Sequence, residues 1–276
     1  MSKRLLIVVN KNNQEAVKAS LCLEDYCKTN NISFDTYDGW EVSDSKKLPD
    51  KNFDLAVVFG GDGTMLRTSN FIGSNDIPIL GINYGNLGFL TNSPDAGIEK
   101  LTQAALDGKL KKESRSHLIV NIESDKETKE YIAMNEVSIR RSKSGRIVDF
   151  GIDINGEHVC DLRSDGVIAS TATGSTAYAL AAGGPLVAPT YKGVIIVPLA
   201  PHTLNSRPLV TDADDTVEFD FTNDSKEDKL AINVDGEIKK IDGKVLKVTV
   251  KADKNETIML RYSNESFYTR ISKVFF

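Results

Sequence analysis

The residues with the clearest chemical potential form the run Gly-Gly-Asp-Gly-Thr at 60–64, directly after the apolar segment 53–59. Glycines let the backbone turn tightly and let a ligand approach main-chain N–H groups. The helix that we expect next would add unpaired N–H donors and a positive dipole end, which suit phosphate. A carboxylate would repel phosphate, so we expect Asp62 to orient a hydroxyl group or a metal ion. In a simpler interpretation, Asp62 or Thr64 only caps the helix.

This loop differs from the two common nucleotide-binding fingerprints. Leu66 stands where the third glycine of Gly-x-Gly-x-x-Gly would be, and the chain has no Gly-x-x-x-x-Gly-Lys-Ser/Thr run. A dehydrogenase and a P-loop enzyme are therefore disfavoured. His117, His158 and His202 lack metal-ligand spacing, and no Gly-x-Ser-x-Gly elbow of a hydrolase is present.

A second run, 165–185, begins with an Asp, continues through small hydroxyl and alanine residues and ends in Gly-Gly-Pro. Its small side chains would allow a flat ring and its sugar to approach the backbone, and its hydroxyls and Tyr178 offer hydrogen bonds. A small-residue helix packed against a sheet explains the run as well. Asn135-Glu136, within a predicted strand, suits either ligand binding or a solvated strand end, and Arg163 suits either a ligand or an ordinary ion pair.

Apolar periodicity predicts the elements that must hold these residues. In the first ~110 residues, buried strands at 5–9, 53–59 and 77–82 alternate with helices at 15–27, from 65, and at 95–106. This alternation predicts a parallel sheet covered by helices. From 117 onward, many short β-rich runs predict an all-β, sandwich-like domain, and 265–276 reads as an amphipathic helix that needs a surface. We expect Trp40 to be a packing residue.

The composition narrows the classes of molecule that the protein is expected to bind. The 276 residues carry 34 basic and 39 acidic side chains, a formal charge of −5, which argues against nucleic acid because phosphate-backbone binding requires a basic face. The apolar run 5–9 is too short for a signal peptide, and no stretch approaches the ~18 apolar residues of a membrane helix. Cys22, Cys27 and Cys160 fit no disulfide or metal pattern, so we expect free thiols and a cytoplasmic location.

Five segments occur in the order found in NAD kinases: 60–64, Asn135-Glu136, 165–185, 202–209 and Val234-Asp235-Gly236. They span nearly the whole chain, which therefore resembles the NAD kinase family. Diacylglycerol-type lipid kinases and phosphofructokinases share the Gly-Gly-Asp-Gly-Thr core. The Thr-Gly-Ser-Thr-Ala-Tyr run 173–178 with its preceding Asp is specific to NAD kinases, and the Gly-Thr-Gly-Asn-Asp segment of lipid kinases is absent.

The resemblance implies an α/β, Rossmann-like nucleotide domain at 1–112 plus 262–276, and a β-sandwich NAD-binding domain at 113–261. The C-terminal helix would return to the first domain. The implied activity is phosphoryl transfer from ATP to the 2'-hydroxyl of the adenosine ribose of NAD, with a divalent cation, Mg²⁺ in our expectation, and assembly into a homotetramer or dimer. The alternatives are a lipid or sugar kinase sharing the loop, and a non-catalytic nucleotide sensor.

The resemblance also implies roles for individual residues, with Asp62 as the catalytic base. The residues expected to bind phosphate are Gly60, Gly61, Gly63 and Thr64. The residues implied to bind NAD are Asp62, Gly63, Phe89, Asn135, Glu136, Arg163, Asp165, Thr173, Thr176, Ala177, Tyr178, Ala181 and Ala200. Within that set, Asn135 and Glu136 would hold adenosine, Asp165 with Arg163 would meet the nicotinamide end, and Phe89 and Ala200 would be pocket walls. No metal ligand is identified.

Two positions depart from the family pattern. Ala172 stands where the family often has Pro, and Ala181 where it often has Ser. The first would loosen the adenine loop and the second removes a hydroxyl near the substrate. Neither touches the proposed base, so we expect changed affinity rather than lost activity.

Overall fold

The computed structural model describes residues 3–42, 48–49, 52–73, 76–85, 88–142, 147–203, 205–222, 229–262 and 265–275. The chain forms two compact units, Met1–Arg115 with Glu256–Phe276, and Ser116–Asn255. Within the described ranges, every helix is too short or too polar to cross a membrane.

The first part of the chain alternates strands and helices. Its elements are β1 (Arg4–Val9), α1 (Gln14–Thr29), β2 (Ser33–Asp38), β3 (Leu55–Phe59), α2 (Asp62–Ile72), β4 (Ile79–Ile82) and α3 (Ile98–Leu106).

The remainder is mostly strands. Its elements are β5 (Lys111–Ser124), β6 (Thr128–Ala133), β7 (Glu136–Arg141), β8 (Val148–Ile154), β9 (Glu157–Ser164), β10 (Gly166–Ser170), α4 (Tyr178–Ala181), β11 (Ile195–Leu199), β12 (Leu209–Val210), β13 (Thr216–Asp220), β14 (Leu230–Val234), β15 (Glu237–Lys239), β16 (Val245–Arg261) and α5 (Phe267–Phe275).

The first unit is built on a parallel sheet in the order β2-β1-β3-β4, continued by the last residues of β16, where Met259 pairs with Ile79. Apart from Arg4 at the start of β1, the residues of its central strands β1 and β3 are apolar and buried on both faces, as parallel strands require. Asn13 caps α1 by accepting hydrogen bonds from the N–H groups of Glu15 and Ala16, and the apolar face of that helix packs on the sheet. The predicted α/β class is confirmed.

Strand β2 was not predicted. It pairs with β1 along its full length but lies at the edge of the sheet, and its side chains are exposed or half-buried. An edge strand of this kind lacks the continuous apolar run that revealed β1 and β3, so its signal in the sequence is weak.

The second unit is a pair of antiparallel-rich layers around one apolar core. One sheet runs in the order β12-β11-β10-β7-β14-β15, and the other contains β13, β8 and β9 with the adjoining part of β16, and the β5-β6 pair. The core between them is formed by Val137, Ile139, Phe150, Phe219 and their neighbours. The sandwich-like second domain is therefore confirmed.

The predicted terminal helix is present as α5 and belongs to the first unit. Arg270 on its inner face is 7% exposed, and the ring of Phe275 stacks on that of Phe89 with centroids 5.8 Å apart. The return of this helix to the first domain is confirmed.

Candidate active site

The glycine-rich loop joins β3 directly to α2, and the helix begins at Asp62, earlier than the predicted Met65. Gly61 is the N-cap, and no side chain in the described part of the chain caps this end. The interpretation of Asp62 or Thr64 as a cap is therefore wrong. Gly60 is required by close packing, because a Cβ there would lie 2.6 Å from Oγ1 of Thr64.

Asp62 is held by the loop that follows β4. Its half-buried carboxylate accepts hydrogen bonds from the N–H of Phe89 at 2.8 Å and the N–H of Leu90 at 3.0 Å. A Cβ on Gly88 would collide with this carboxylate, so the loop passes directly against it. A carboxylate has about four acceptor positions. The two hydrogen bonds therefore fix its orientation and leave acceptor capacity for a ligand hydroxyl.

The loop lies at the carboxyl edge of the parallel sheet, where β1 has β2 on one side and β3 on the other. Such a reversal of strand order is where open α/β sheets bind ligands. Trp40 lies at this edge and is 58% exposed, so its predicted packing role is wrong. Its indole N–H donates to Oδ1 of Asn10 at 3.2 Å, and the guanidinium of Arg67 lies 4.3 Å above its ring. Arg67 Nη1 is 3.7 Å from the place of a Cβ on Gly63, which puts a cation beside the loop.

A cluster of charged side chains, the buried Arg261 and Arg115 with the half-buried Glu113, lies next to Phe89 in the same unit. Arg261 and Arg115, 1% and 5% exposed, both donate to Glu113 Oε2, at 3.0 and 2.8 Å. Burial acts to raise the pKa of Glu113, but these guanidiniums outweigh it and the net shift is downward. Burial, together with the charge of Arg270, lowers the pKa of Arg261 to about 10, so it stays charged at neutral pH. The sequence offered no signal for these buried arginines.

In the second unit, Asn135 lies in a bend between β6 and β7, so the single strand predicted across this segment is wrong. The carboxylate of Asp235 accepts hydrogen bonds from the N–H groups of Met134, Asn135 and Glu136, at 2.8, 2.7 and 3.1 Å. Asp235 has φ 49° and Gly236 φ 82°, as the predicted Asp-Gly turn requires. The turn thus presents a carboxylate that interrupts the strand and fixes the Asn135-Glu136 segment.

The carbonyl groups of this bend are held by the 165–185 run. Thr171 Oγ1 donates to the carbonyl of Met134 at 2.6 Å, and Ser170 Oγ donates to that of Asn135 at 3.1 Å. Ser175 Oγ donates to the carbonyl of Ala172 at 2.7 Å. These three hydroxyls have partners inside the protein, so they serve packing rather than the ligand contacts expected of the run as a whole.

Glu136 is 8% exposed, and its Oε2 has no hydrogen-bond partner among the described atoms. Burial, with the nearby charge of Asp235, raises its pKa to about 8, although a backbone hydrogen bond from Tyr178 opposes the shift. The protonated form dominates at neutral pH, so Glu136 can donate a hydrogen bond to a ligand.

The rest of the 173–181 segment presents a mixture of buried and exposed groups. The Thr173 hydroxyl is buried and, in the described part of the chain, has no partner, while Thr176 Oγ1 donates to the Thr173 carbonyl at 3.2 Å. Ala177 is half-buried, Tyr178 is 36% exposed, and Ala181 is exposed on α4.

Arg163, Asp165 and Ala200 lie at one end of β9 and β11. Arg163 donates to Asp149 Oδ1 at 2.8 Å and lines a cavity of about 530 Å³ that also contains His158. Asp165 is exposed, and its N–H donates to the carbonyl of Leu199 at 2.9 Å. Ala200 is exposed with φ 43°. Arg163 therefore makes the ion pair that was the simpler interpretation of this residue.

The predicted site residues thus form three groups, of which the third is Arg163, Asp165 and Ala200 at the end of β9 and β11. Asp62, Phe89 and the 60–64 loop are brought together in the first unit. Asn135, Glu136 and the 173–178 run are brought together in the second. Sequence reasoning missed the backbone of Leu90, the Trp40-Arg67 pair and the buried arginines 115, 261 and 270. Asp235 was noticed only as a turn and family-motif residue.

Comparisons with known proteins find two family domains in the chain. The model of the ATP-NAD kinase N-terminal domain matches residues 5–110, and that of the ATP-NAD kinase C-terminal domain matches residues 134–260. The Nitrosospira multiformis NAD kinase is 44% identical over 60% of this chain, and the chain spans 57% of that relative's length. The Marinobacter nauticus NAD kinase is 37% identical over 81% of this chain and 76% of its own.

A solved structure extends the likeness to the whole fold. The crystal structure of an NAD kinase from Archaeoglobus fulgidus in complex with ATP has a TM-score of 0.75 and 25% identity, covering 99% of this chain and 97% of that one. With both domain models and a relative matched over most of its length, the chain belongs to the ATP-NAD kinase family.

Proposed function

We propose that this protein phosphorylates NAD at the 2'-hydroxyl of its adenosine ribose, with ATP as donor. The 2'-oxygen attacks the γ-phosphorus of ATP, the bond from that phosphorus to the β–γ bridging oxygen breaks, and ADP leaves. The hydroxyl proton passes to a carboxylate oxygen of Asp62. ATP as donor is supported by family membership and by the ATP-bound relative.

The observation that carries the proposal is the setting of Asp62. It stands in the first turn of α2, at the edge of the sheet where the strand order reverses, and two backbone N–H groups fix its carboxylate. The uncapped N–H groups of the same turn favour donor phosphates, and Arg67 adds a cation. Phosphoryl transfer depends mostly on positioning and charge, which this arrangement supplies.

For NAD recognition we propose the residues of the second unit. Protonated Glu136 would donate a hydrogen bond and Asn135 would hold the adenosine, with Thr173, Thr176, Ala177 and Tyr178 around the adenine and ribose. The buried oxygens of Glu136 and Thr173, which have no partner among the described residues, support this role because buried polar atoms normally have partners. Asp165, Arg163, Ala181, Ala200 and, in the first unit, Phe89 stay proposed contacts on the family resemblance.

A divalent cation, Mg²⁺ in our proposal, would act with the donor. The described residues contain no group of three or more His, Cys, Asp or Glu side chains able to hold a metal. Mg²⁺ binds mainly through phosphate oxygens and water in nucleotide sites, so it would arrive with ATP and neutralise phosphate charge.

We also propose a homotetramer or dimer in the cytoplasm. The exposed apolar side chains of Val159, Val210 and Ile238 in the second unit would suit contact with another copy. The three free cysteines fit a reducing compartment. Sedimentation velocity and cell fractionation test these two statements.

The activity is tested by NADP formation from ATP, Mg²⁺ and NAD, with a diacylglycerol lipid as the competing acceptor. We expect NADP and no phosphorylated lipid. Asp62→Asn should lower kcat by about 10²–10⁴-fold, the value of a positioned base, with NAD affinity unchanged by calorimetry. The exposed Asp76→Asn variant is the control. Equal turnover in Asp62→Asn would remove the base role.

A further inference from the structure

The peptide between Phe89 and Leu90 joins the proposed base to the C-terminal helix. Its N–H, from Leu90, donates to Asp62 Oδ1 at 3.0 Å. Its carbonyl, from Phe89, accepts hydrogen bonds from Arg261 and from Arg270, the latter at 2.7 Å. The described chain contains no cis peptide bond, so the carbonyl and N–H of this planar unit point in opposite directions. Asp62 and the two guanidiniums therefore lie on opposite sides of one peptide.

The guanidiniums are fixed in place. Arg261 is 1% exposed and also donates to the carbonyl of Thr91 at 2.8 Å and to Glu113 at 3.0 Å. Arg270 is 7% exposed, and its Nε lies 3.7 Å from Glu265 Oε2. Charges are rarely buried to this extent unless they are paired and hydrogen-bonded. Here part of that hydrogen bonding goes to the carbonyl of Phe89.

The side chain of Phe89 is held by the same helix. Its ring stacks on Phe275 with centroids 5.8 Å apart and an interplanar angle of 20°. Helix α5 thus contacts Phe89 at two points: Arg270 donates a hydrogen bond to its carbonyl, and Phe275 stacks on its ring. A charged donor on a carbonyl also polarises the peptide, which strengthens donation by the N–H on its other side.

We propose that Arg270 and Arg261 are positioning residues of the phosphoryl transfer, acting through the Phe89–Leu90 peptide to hold Asp62 in its reactive orientation. This inference rests on the proposed function. It gives α5 a part in the reaction although none of its side chains needs to touch the substrate. A misplacement of about 1 Å at a reacting group can lower a rate about 100-fold, so a loosened peptide should reduce turnover.

Arg270→Gln tests the proposal, and Lys273→Gln is its matched control. Both residues lie on α5 and both pair with Glu265, at 3.7 and 2.5 Å, but only Arg270 reaches Phe89. We expect kcat to fall about tenfold or more in Arg270→Gln with KM for NAD and ATP within twofold, and no change in the control. Arg270→Lys, which keeps one charged donor, should restore part of the loss.

The exchange rate of the Leu90 amide, measured by NMR, is a second readout. It should rise in Arg270→Gln and stay constant in Lys273→Gln. If Arg270→Gln does not fold, Phe275→Ala replaces it with Val274→Ala as control, since these neighbours are 39% and 44% exposed. Phe275→Ala should lower kcat severalfold and speed Leu90 exchange.

Unchanged kcat and unchanged Leu90 exchange in the folded variants would overturn the proposal. So would an equal loss in the control, which would indicate general destabilisation. If the wild-type protein makes no NADP, the proposed function fails by itself. The Leu90 exchange then still decides whether the arginines hold this peptide, because it does not depend on turnover.

Discussion

The two units hold their acidic site residues in different ways. In the first, both oxygens of the Asp62 carboxylate meet backbone N–H groups, and guanidiniums bind the far side of one of those peptides. In the second, Glu136 is buried, one of its oxygens has no partner among the described atoms, and the Asp235 carboxylate is near. The first setting supplies two backbone donors that fix the carboxylate, whereas in the second, burial and a neighbouring carboxylate outweigh the backbone donor from Tyr178.

The difference shows that surroundings, rather than residue type, decide what an acidic side chain can do. Asp62 is arranged as an acceptor with a fixed orientation. Glu136, with a pKa near 8, is arranged as a neutral donor at pH 7. The proposed phosphoryl transfer, which needs recognition of a nucleotide and removal of a proton, has use for both. Four changes would break or sharpen this contrast.

Of these four changes, Gly88→Ala has the largest expected effect, because it disturbs the loop that holds the carboxylate of Asp62. The new Cβ would collide with the carboxylate, so either the loop or the base must move. We expect kcat to fall about 100-fold, which corresponds to a rise of about 2.7 kcal/mol in the activation free energy. Gly85→Ala is the matched control, because its Cβ would lie 3.5 Å from Asn83 Oδ1, an ordinary contact. Equal kcat values in an NADP assay would show that the loop does not position the base.

Asp235→Asn weakens the hydrogen bonds that hold the Asn135-Glu136 segment in the second unit. An amide has one acceptor oxygen, so it cannot serve the N–H groups of Met134, Asn135 and Glu136 together. We expect the free energy of unfolding to fall by about 2 kcal/mol and KM for NAD to rise more than kcat falls. Urea denaturation and initial rates measure this, with the exposed Asp214→Asn as control. A kcat effect alone would contradict the assignment of this segment to binding.

Glu136→Gln tests the neutral carboxylic acid directly. The folded pKa of about 8 lies above the ordinary 4.5, so between these values the folded state retains a proton that the unfolded chain has lost. Stability from this group therefore falls as pH rises, by up to about 1.4 kcal/mol per pH unit, and levels off above pH 8. The variant should lack this slope in urea denaturation from pH 5.5 to 8.5. Glu130→Gln, on the exposed face of β6, should keep it; identical slopes in all three proteins would refute the buried neutral acid.

The smallest expected effect is that of Thr173→Val. Its hydroxyl is buried and, among the described residues, has no partner, so removing it should leave the stability of the free protein unchanged or slightly higher. NAD affinity should fall by about 0.5–1.5 kcal/mol if the hydroxyl binds the ligand. Thr171→Val gives the contrast, since that hydroxyl donates to the Met134 carbonyl and its loss should destabilise the protein. Unaltered NAD affinity in Thr173→Val, by calorimetry, would exclude Thr173 from the site.

The sequence predicted the parts of the fold that depend on local patterns. Continuous apolar runs revealed β1 and β3, and the glycine loop marked the start of α2 to within three residues. The Asp235-Gly236 turn followed from residue types that tolerate positive φ. The edge strand β2 and the bend at Asn135 were not predicted. Strand β2 is determined by its position at the edge of the sheet, and the bend by the carboxylate of Asp235, about 100 positions away in the chain.

The candidate site was predicted less completely. Motif residues such as Asp62 and Glu136 stood out by type and by resemblance, but their supports did not. Arg261 and Arg270 look like ordinary surface residues in the sequence, and Arg261 meets its Thr91 partner across 170 positions. Long-range pairing of this kind has no local periodicity, so no window along the chain could reveal it.

The first unit is made from two stretches of chain, Met1–Arg115 and Glu256–Phe276, with the whole second unit encoded between them. During synthesis the ribosome must therefore finish the sandwich, including the first part of β16, before it delivers the end of β16 from Glu256 onward and α5. Strands β1 to β4 are synthesised long before the end of β16, which pairs with β4. Contacts of such high sequence separation slow folding. We expect the second unit to fold first on the growing chain and the first unit to close only afterwards.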